Sequence, residues 1–188
     1  MARPPRVTEP DGIYYVTTRG NNRERVVWDD LDRVLLLSGI SSAALRYEWT
    51  VLAYCLMTNH FHLIVQLPVG GLSEGMRLLN GSFARRMNRR HGRVGHLFQN
   101  RFHATRIERD AHLLETCRYV VLNPVRARLC ARAQDWPWSS YRACAGLEIA
   151  PPFLAEEQLL GLFSKRPQRA RRRYRLFVRE GESTARGG

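Results

Sequence analysis

Two strongly apolar segments, separated by only two polar residues, constrain the fold of this chain most. Residues 49–57 and 60–67 are mostly apolar, and Thr58 and Asn59 interrupt them. Short apolar runs broken in this way predict two consecutive β-strands. The longest uninterrupted apolar run, residues 51–57, is far shorter than the roughly 20 residues of a membrane-spanning helix. The chain is therefore expected to be a soluble protein with no part in a membrane.

The flanking segments continue an alternation of strands and helices. Apolar positions recur every three or four residues after Leu72 and after Asp110, which is the spacing of one helix face. The second of these helices should end near Asn123, because the residue before Pro124 is disfavoured in the α conformation. The predicted strands are residues 13–17, 49–57, 60–67 and 102–107, and the predicted helices begin at Asp29 or Asp30, at Leu72 and at Asp110.

The order β-α-β-β-α-β matches the ferredoxin-like, split βαβ plan. This is an α+β fold in which one antiparallel sheet carries two helices on one face. An extra helix, residues 110–123, follows the fourth strand. We assign residues 1–145 to one domain, with an ordered turn at 136–141 packed against its core, because 188 residues suffice for one such core. Residues 146–188 form a C-terminal extension, in which 165–179 is predicted to be a short basic tail arm.

The charge of the chain indicates a polyanionic partner. Thirty Lys and Arg stand against 17 Asp and Glu, which gives a net charge of +13, and Lys165 is the only lysine. The planar guanidinium of arginine suits phosphate. A GC-rich genome would explain arginine in place of lysine, but not the excess of positive charge. The N-terminus carries no apolar signal segment, and the four cysteines form no CxxC pair, so buried free thiols in a reducing compartment are expected.

Two histidines alternate with Phe61 in the second apolar strand. Residues i and i+2 of a strand point to the same face, so His60 and His62 are predicted to emerge side by side. Two neutral imidazoles at this spacing are able to hold one divalent cation. Taken alone the pattern is a weak signal, since most such pairs are cross-strand or capping residues. No thiolate accompanies the pair, which disfavours a structural zinc site.

The helix of residues 110–123 adds a second set of polar groups. Tyr119 falls almost opposite the apolar stripe of this helix, and Asn123 lies one turn further on beside it. The alternative interpretation of Tyr119 is a partly exposed aromatic residue without chemistry. Glu115, one turn before Tyr119, is the alternative to Asn123 as a third metal ligand.

Together these motifs resemble those of a known enzyme family. The sequence NHFH at residues 59–62 resembles the His-hydrophobe-His motif of the HUH single-strand nucleases. The sequence YVVLNPVRA at 119–127 resembles the catalytic-tyrosine helix of the Y1 transposases related to the IS200/IS605 insertion sequences. Segments 19–23, 95–102 and 136–140 resemble signatures of the REP-associated tyrosine transposases, a bacterial group associated with repetitive extragenic palindromes. The resemblance spans roughly residues 10–145.

The resemblance implies a metal-dependent single-stranded DNA endonuclease and strand transferase. Tyr119 would attack a phosphodiester to give a 5′-phosphotyrosine and a free 3′-OH, and rejoining would be the reverse. His60, His62 and Asn123 would hold Mg²⁺ or Mn²⁺. The substrate would be palindromic, hairpin-forming DNA repeats in the bacterial cytoplasm, at the nucleoid. The tyrosine would act in cis in a monomer, with a dimer that exchanges the tyrosine helix as the alternative.

Two other functions stay open. The same scaffold could be a catalytically silent hairpin DNA- or RNA-binding module, or the transposase of an active insertion sequence. A tyrosine with a pKa near 10 also needs activation, for which His103, Glu115 and the metal are the alternatives. His103 is otherwise an exposed strand residue, and the remaining histidines, His91, His96 and His112, are interpreted as surface or structural residues.

The predicted DNA-binding surface is rich in arginine. Between Arg77 and Arg109 there are nine arginines and one acid, Glu108, which predicts a track for backbone phosphates. Phe98, Phe102 and Tyr174 are each assigned either to base stacking or to the core. The predicted DNA contacts are Arg19, Asn21 and Asn22 after the first strand, Arg85, Arg86 and Arg89 on the second helix, Arg101, Arg126, and Arg171, Arg172 and Arg173 in the tail.

Overall fold

The computed structural model describes residues 8–108 and 110–186, and its centre is one four-stranded antiparallel sheet. The strand order is β2-β3-β1-β4, which is the order of a ferredoxin-like sheet, so the predicted α+β fold is confirmed. β3 has the bounds that the polar break and Pro68 predict. The strands are β1 Gly12–Arg19, β2 Thr50–Leu56, β3 His60–Leu67 and β4 His103–Ile107.

The described residues form six α-helices and two short 3₁₀ helices, one after β1 and one after α3. α1 and α2 pack against each other, α3 contacts β2 and β3, and α6 packs on α3. None of the helices described is long and apolar enough to span a bilayer. The α-helices are α1 Asp30–Arg46, α2 Leu72–Arg90, α3 Asp110–Arg126, α4 Tyr141–Cys144, α5 Glu156–Gly161 and α6 Pro167–Arg186, and the 3₁₀ helices are Asn21–Arg23 and Ala133–Asp135.

The two faces of the sheet carry different helices. Asn80 of α2 donates a hydrogen bond to Thr18 Oγ1 on one face of β1. Tyr15 of β1 points to the other face, because side chains alternate along a strand, and its ring lies 6.2 Å from that of Tyr119 in α3. The extra helix therefore covers the face that α1 and α2 leave open.

A buried carboxylate joins the start of α1 to the end of α2. Asp29 caps α1 by accepting from the Asp32 backbone N–H at 3.0 Å. The Asp32 side chain, fully buried, pairs with Arg90 at 2.5 Å and with His91 at 2.9 Å. A buried charge is tolerated when it is paired and hydrogen-bonded. His91 is therefore a structural residue, as the sequence suggested.

The segment of residues 136–141 lies against the open edge of β2. The Leu56 backbone N–H donates to the Trp138 carbonyl at 2.8 Å, and the Tyr54 N–H donates to Ser140 Oγ at 3.1 Å. These bonds satisfy the backbone groups that an edge strand leaves unpaired. The predicted ordered turn against the core is confirmed.

The prediction that α3 ends near Asn123 was wrong. The helix continues through Pro124 to Arg126, although Pro124 has no N–H to donate to the Val120 carbonyl. The Asn123 side-chain amide replaces that donor, because its Nδ2 lies 3.4 Å from the Val120 carbonyl and 2.9 Å from that of Tyr119. The residues from Leu122 to Val125 are buried, which also favours continuation of the helix.

The prediction of a basic tail arm was also wrong. Residues 165–179 lie largely within α6, a helix of 20 residues. Ala170, Tyr174 and Val178 recur every fourth residue and form an apolar stripe along it, and Tyr174 is only 1% exposed. Tyr174 is therefore a core residue and not a base-stacking one. The prediction rested on the many arginines of this segment and did not take into account the apolar stripe between them.

Candidate active site

β3 presents His60 and His62 together on the face that α3 covers. Their ring centroids are 4.7 Å apart. In the antiparallel register His60 lies opposite Arg19 of β1, and His62 lies opposite Thr17. Directly opposed residues point to the same face of a sheet, so the Arg19 side chain shares the face of the two imidazoles.

Asn59 fixes the orientation of His60. The Asn59 amide nitrogen donates to the Arg23 carbonyl at 2.9 Å, which turns its oxygen, Oδ1, towards His60. The distance from that oxygen to His60 Nδ1 is 2.6 Å. A carbonyl oxygen only accepts, so Nδ1 carries the proton and donates. The lone pair of this imidazole is therefore on Nε2.

Tyr15 makes the corresponding contact with His62. Its hydroxyl oxygen lies 2.8 Å from His62 Nδ1, and the two rings are nearly parallel. His62 is 4% exposed, and its Nε2 has no hydrogen-bond partner among the described residues. A buried nitrogen without a partner costs free energy, and a metal ion is one group that satisfies it. When Nδ1–H donates to Tyr15, Nε2 has the free lone pair that a metal requires.

Both imidazoles are held in the neutral form. Burial, with a contribution from the positive charge of Arg19, lowers the pKa of His60 to about 4. Burial also lowers the pKa of His62 to about 3, and the charges of His60 and Arg19 add to the effect. Neutral imidazole is the form that binds metal. The site is therefore suited to a cation at neutral pH and is unsuited to protonated histidines.

α3 places Tyr119 at the edge of this pair. The Tyr119 ring lies 6.2 Å from those of His62 and Tyr15, edge-on to both, and is 38% exposed. The Arg126 guanidinium lies over the Tyr119 ring at 4.6 Å. Burial raises the pKa of Tyr15 well above its ordinary value, and the charge of Tyr119 and a hydrogen bond with it raise that pKa further. Of the two hydroxyls, that of Tyr119 is the accessible one.

Asn123 lies one turn beyond Tyr119 and is 9% exposed. Its amide nitrogen is engaged by backbone carbonyls of α3, which leaves the amide oxygen as the end that a metal would use. Within residues 8–108 and 110–186 no group of three His, Cys, Asp or Glu side chains is arranged to hold a metal. Two imidazoles and one amide oxygen suit a divalent ion that keeps open positions for water and phosphate oxygens.

The two alternative bases, Glu115 and His103, lie on α3 and on β4. Glu115 accepts from Arg118 at 2.5 Å in an ion pair along α3. His103 of β4 lies opposite Thr17 and therefore shares the sheet face of His62. It is exposed, and β1 lies between its strand and that of His62. His96 and His112 are exposed, in agreement with their interpretation as surface residues.

The residues predicted to contact DNA fall into four places. Arg19 and Arg126 flank the histidines and Tyr119, and Asn21 and Asn22 lie in the 3₁₀ helix that follows β1. Arg85 and Arg101 line a groove beside α2. The others are exposed on the outer side of α2, as Arg86 and Arg89 are, or belong to α6, as Arg171, Arg172 and Arg173 do.

The three consecutive arginines of α6 have different surroundings. Arg171 pairs with Glu156 at 3.1 Å, and Arg173 donates to the Phe163 carbonyl at 2.7 Å. Arg172 faces a cleft of about 430 Å³ that also contains Arg132, Arg175 and Arg179. The sequence analysis did not single out these last three arginines. The spacing 172, 175, 179 is that of one helix face and would have indicated Arg175 and Arg179 once the segment was recognised as helical, whereas Arg132 lies outside α6.

The sequence analysis also missed Tyr15 and the part played by Asn59. Tyr15, Thr17 and Arg19 are every second residue of β1, so their side chains lie on one face of the sheet. Which of them meets His62 depends on the register between β1 and β3, and that register is set by the fold. Asn59 was visible beside His60, but its hydrogen bond to the Arg23 carbonyl depends on the turn after β1.

Comparison with known proteins gives a family and a fold. Residues 10–123 match the family model described as "Transposase IS200 like". A Haemophilus influenzae protein described as a candidate REP-associated tyrosine transposase is 26% identical over 151 residues, which cover 74% of this chain and 85% of that protein. A solved structure of a REP-associated tyrosine transposase bound to a REP hairpin superposes with a TM-score of 0.66. It is 21% identical and covers 80% of this chain and 89% of its own, so it supports the fold.

Proposed function

The chain belongs to the family of IS200-like Y1 transposases, and we propose that it cleaves and rejoins single-stranded DNA through Tyr119. The observation that carries this proposal is the position of the Tyr119 ring, 6.2 Å from His62 within one chain. A partly exposed phenol beside two neutral imidazoles has the components of a metal-assisted phosphodiester transfer. A protein that only binds DNA has no need of this combination.

The proposed reaction exchanges one phosphodiester for another. The Tyr119 oxygen attacks the scissile phosphorus and loses its proton, the bond to the 3′ oxygen breaks, and that oxygen takes up a proton as the 3′-OH leaves. The 5′ phosphate then stays on the tyrosine. In the reverse step a 3′-OH attacks the phosphotyrosine and releases Tyr119. Each step forms one phosphorus–oxygen bond for the one that it breaks, so no nucleotide cofactor is required.

The residues fit Mg²⁺ or Mn²⁺ as the metal. When bound, such an ion polarises a phosphate oxygen and offsets the charge of the transition state. His60 and His62 would hold it through their Nε2 atoms, with the Asn123 amide oxygen as the third ligand. Asn59 and Tyr15 are positioning residues, because each accepts the Nδ1 proton of one histidine and so leaves its Nε2 free. Hydrogen bonds of this kind fix the tautomer and orientation of metal-binding histidines.

The proposed substrate is a DNA hairpin formed by a palindromic repeat. A structural relative is described as bound to a REP hairpin, and the net charge of +13 favours a polyanion. Because Tyr119 and the histidines of one chain are adjacent, we propose that the tyrosine acts in cis in a monomer. Such a substrate would put the protein at the nucleoid of a bacterial cytoplasm.

A labelled single-stranded oligonucleotide tests the proposal. It contains a hairpin repeat from the genome that encodes the chain, carries a label at each end, and is incubated with Mg²⁺ or Mn²⁺. We expect a covalent adduct between the protein and the 5′ end of the downstream fragment. Tyr119→Phe should abolish the adduct and keep hairpin binding, whereas Tyr47→Phe, a half-buried tyrosine after α1, should behave as the wild type. Tight binding without an adduct under either metal would refute cleavage and support the binding-module alternative.

A further inference from the structure

A groove of about 790 Å³ lies between α2 and the loop of residues 95–102. This volume is within the range of about 300–1,000 Å³ that small-molecule sites occupy. The Asn88 amide donates to the Gly95 carbonyl at 2.9 Å and fastens the loop to the helix at one end of the groove. The groove is on the α2 side of the sheet and is therefore separate from the site of Tyr119.

The groove combines an apolar floor with a basic rim. Met76, Leu97 and Phe102 are buried and line its floor, and the half-buried Phe98 lies beside them. Three arginines and one acid complete the charged lining, so the rim is positively charged on balance. These rim residues are Arg77, Arg85, Arg101 and Glu74. Nucleobases stack on aromatic side chains, and arginines contact the backbone that carries the bases.

Asn80 adds an unpaired polar group to this lining. Its amide nitrogen donates to Thr18 Oγ1 at 3.4 Å. Its amide oxygen is buried and has no hydrogen-bond partner among the described residues. A buried amide oxygen without a partner is costly unless a ligand supplies a donor to it. An amide oxygen accepts from a donor on the edge of a base, such as an exocyclic amino group.

The groove is continuous with the backbone that carries the histidines. Phe98 forms a bridge to Gly20 at the end of β1, and the Gly20 N–H donates to the Asn59 carbonyl at 2.8 Å. Adjacent strands are about 4.8 Å apart, so the loop backbone lies only about 10 Å from that of His60. The Phe98 ring also contacts Phe61, which lies between the two histidines in sequence, at 6.2 Å.

We propose that this groove binds an unpaired nucleotide of the strand that Tyr119 cleaves. The base lies over the apolar floor beside Asn80, and the adjoining phosphates contact Arg77 and Arg85. The recess between helix and loop admits a base only when that base is unstacked and unpaired, so the groove selects single-stranded sequence that flanks a hairpin stem. This inference rests on the proposed function, because it assumes a DNA strand at the site of His60 and His62.

Matched pairs of arginine variants test the proposal. Arg77→Gln with Arg85→Gln removes two charges from the rim, and Arg86→Gln with Arg89→Gln removes two exposed charges from the same helix outside the groove. Both pairs are made in full-length Tyr119→Phe protein without divalent metal, so that binding is measured apart from cleavage. The probes are a hairpin with single-stranded flanks on both sides and the same hairpin without flanks, at one fixed salt concentration.

The double variant of Arg77 and Arg85 should bind the flanked hairpin no more tightly than the bare hairpin. Its affinity for the bare hairpin should equal that of the control double variant. A single abasic nucleotide is then moved through both flanks. At one position it should weaken binding of the Tyr119→Phe parent and of the control pair by about 5- to 150-fold, the range for loss of one stacked base. The rim pair should respond less at that position, since contacting groups are coupled energetically.

Two results would overturn the inference. One is equal behaviour of the rim and control pairs on both DNAs, and the other is insensitivity to the abasic nucleotide at every flank position. Either result would refute nucleotide binding in the groove. Hairpin binding would be unaffected by it, and so would the proposed function. A protein that bound neither hairpin would instead refute the proposed substrate. Thermal unfolding of each variant separates loss of binding from loss of fold.

Discussion

Removal of one oxygen atom from Tyr15 tests how the metal site is organised. The Tyr15 hydroxyl lies 2.8 Å from His62 Nδ1, and its ring stacks nearly parallel to the imidazole with centroids 5.8 Å apart. Tyr15→Phe keeps the ring and its packing but removes the one acceptor that the described part of the chain gives to Nδ1–H. The imidazole then loses its preference for the tautomer with a free Nε2.

The expected loss is about 10- to 100-fold in metal affinity or cleavage rate, which is typical when a hydrogen bond that supports a metal ligand is removed. This corresponds to roughly 1.4–2.8 kcal/mol. The stability of the fold should change by only about 1 kcal/mol, the usual contribution of a neutral hydrogen bond. A much larger effect on metal binding than on stability is thus the signature of a positioning role.

Tyr14→Phe is the matched control. Tyr14 is the next residue of β1, and its hydroxyl accepts from the Glu9 backbone N–H at 2.9 Å on the opposite face of the sheet. The assays are calorimetric titration with Mn²⁺ and the cleavage rate across a range of metal concentrations. Tyr15→Phe should require more metal, and Tyr14→Phe should match the wild type. Equal metal affinity in the two variants, or a rate deficit in Tyr15→Phe that added metal does not reduce, would refute the reasoning.

Three further outcomes are expected. Asn59→Leu should weaken Mn²⁺ binding about tenfold, whereas Asn59→Asp, which keeps an oxygen facing His60, should retain most of it in the same titration. Without metal, stability against urea should fall between about pH 6.5 and pH 4, because the unfolded chain binds protons that the lowered pKa values of His60 and His62 keep off the folded one. His62→Gln should flatten that pH dependence, and an unchanged slope would contradict the burial argument. Arg172→Gln should lower the salt dependence of hairpin binding by about 0.9 per lost duplex phosphate contact, whereas Arg171→Gln, whose side chain already pairs with Glu156, should leave it nearly unchanged.

The sequence predicted the sheet well because its signals there are local. Thr58 and Asn59 separate two apolar runs, and Pro68 ends the second, so β3 begins and ends where the pattern indicates. The acids before Leu31 and the spacing of apolar residues after Leu72 located α1 and α2 in the same way. Each of these signals is contained within a few residues and does not depend on what packs nearby.

The candidate site depends on contacts between elements, and these were not predictable from spacing. Strand parity places Tyr15 on the face of the histidines, but only the register of β1 against β3 brings it to His62. The arginine-rich segment of α6 has a charge pattern that is also found in extended tails. Its assignment required weighing Tyr174 and Val178, whose burial depends on α3.

Asn123 and Pro124 show why the rule that a helix ends before a proline failed in α3. A proline within a helix leaves the carbonyl four residues earlier without its donor, and here the Asn123 amide nitrogen takes over that bond. The substitute also contacts the Tyr119 carbonyl, so the backbone of the proposed nucleophile and the proposed third ligand are tied together. Because the nitrogen end of the amide is occupied, its oxygen is the end left for a metal. The irregularity that defeats prediction of the helix end therefore also orients the amide, which is consistent with the tendency of local rules to fail at functional sites.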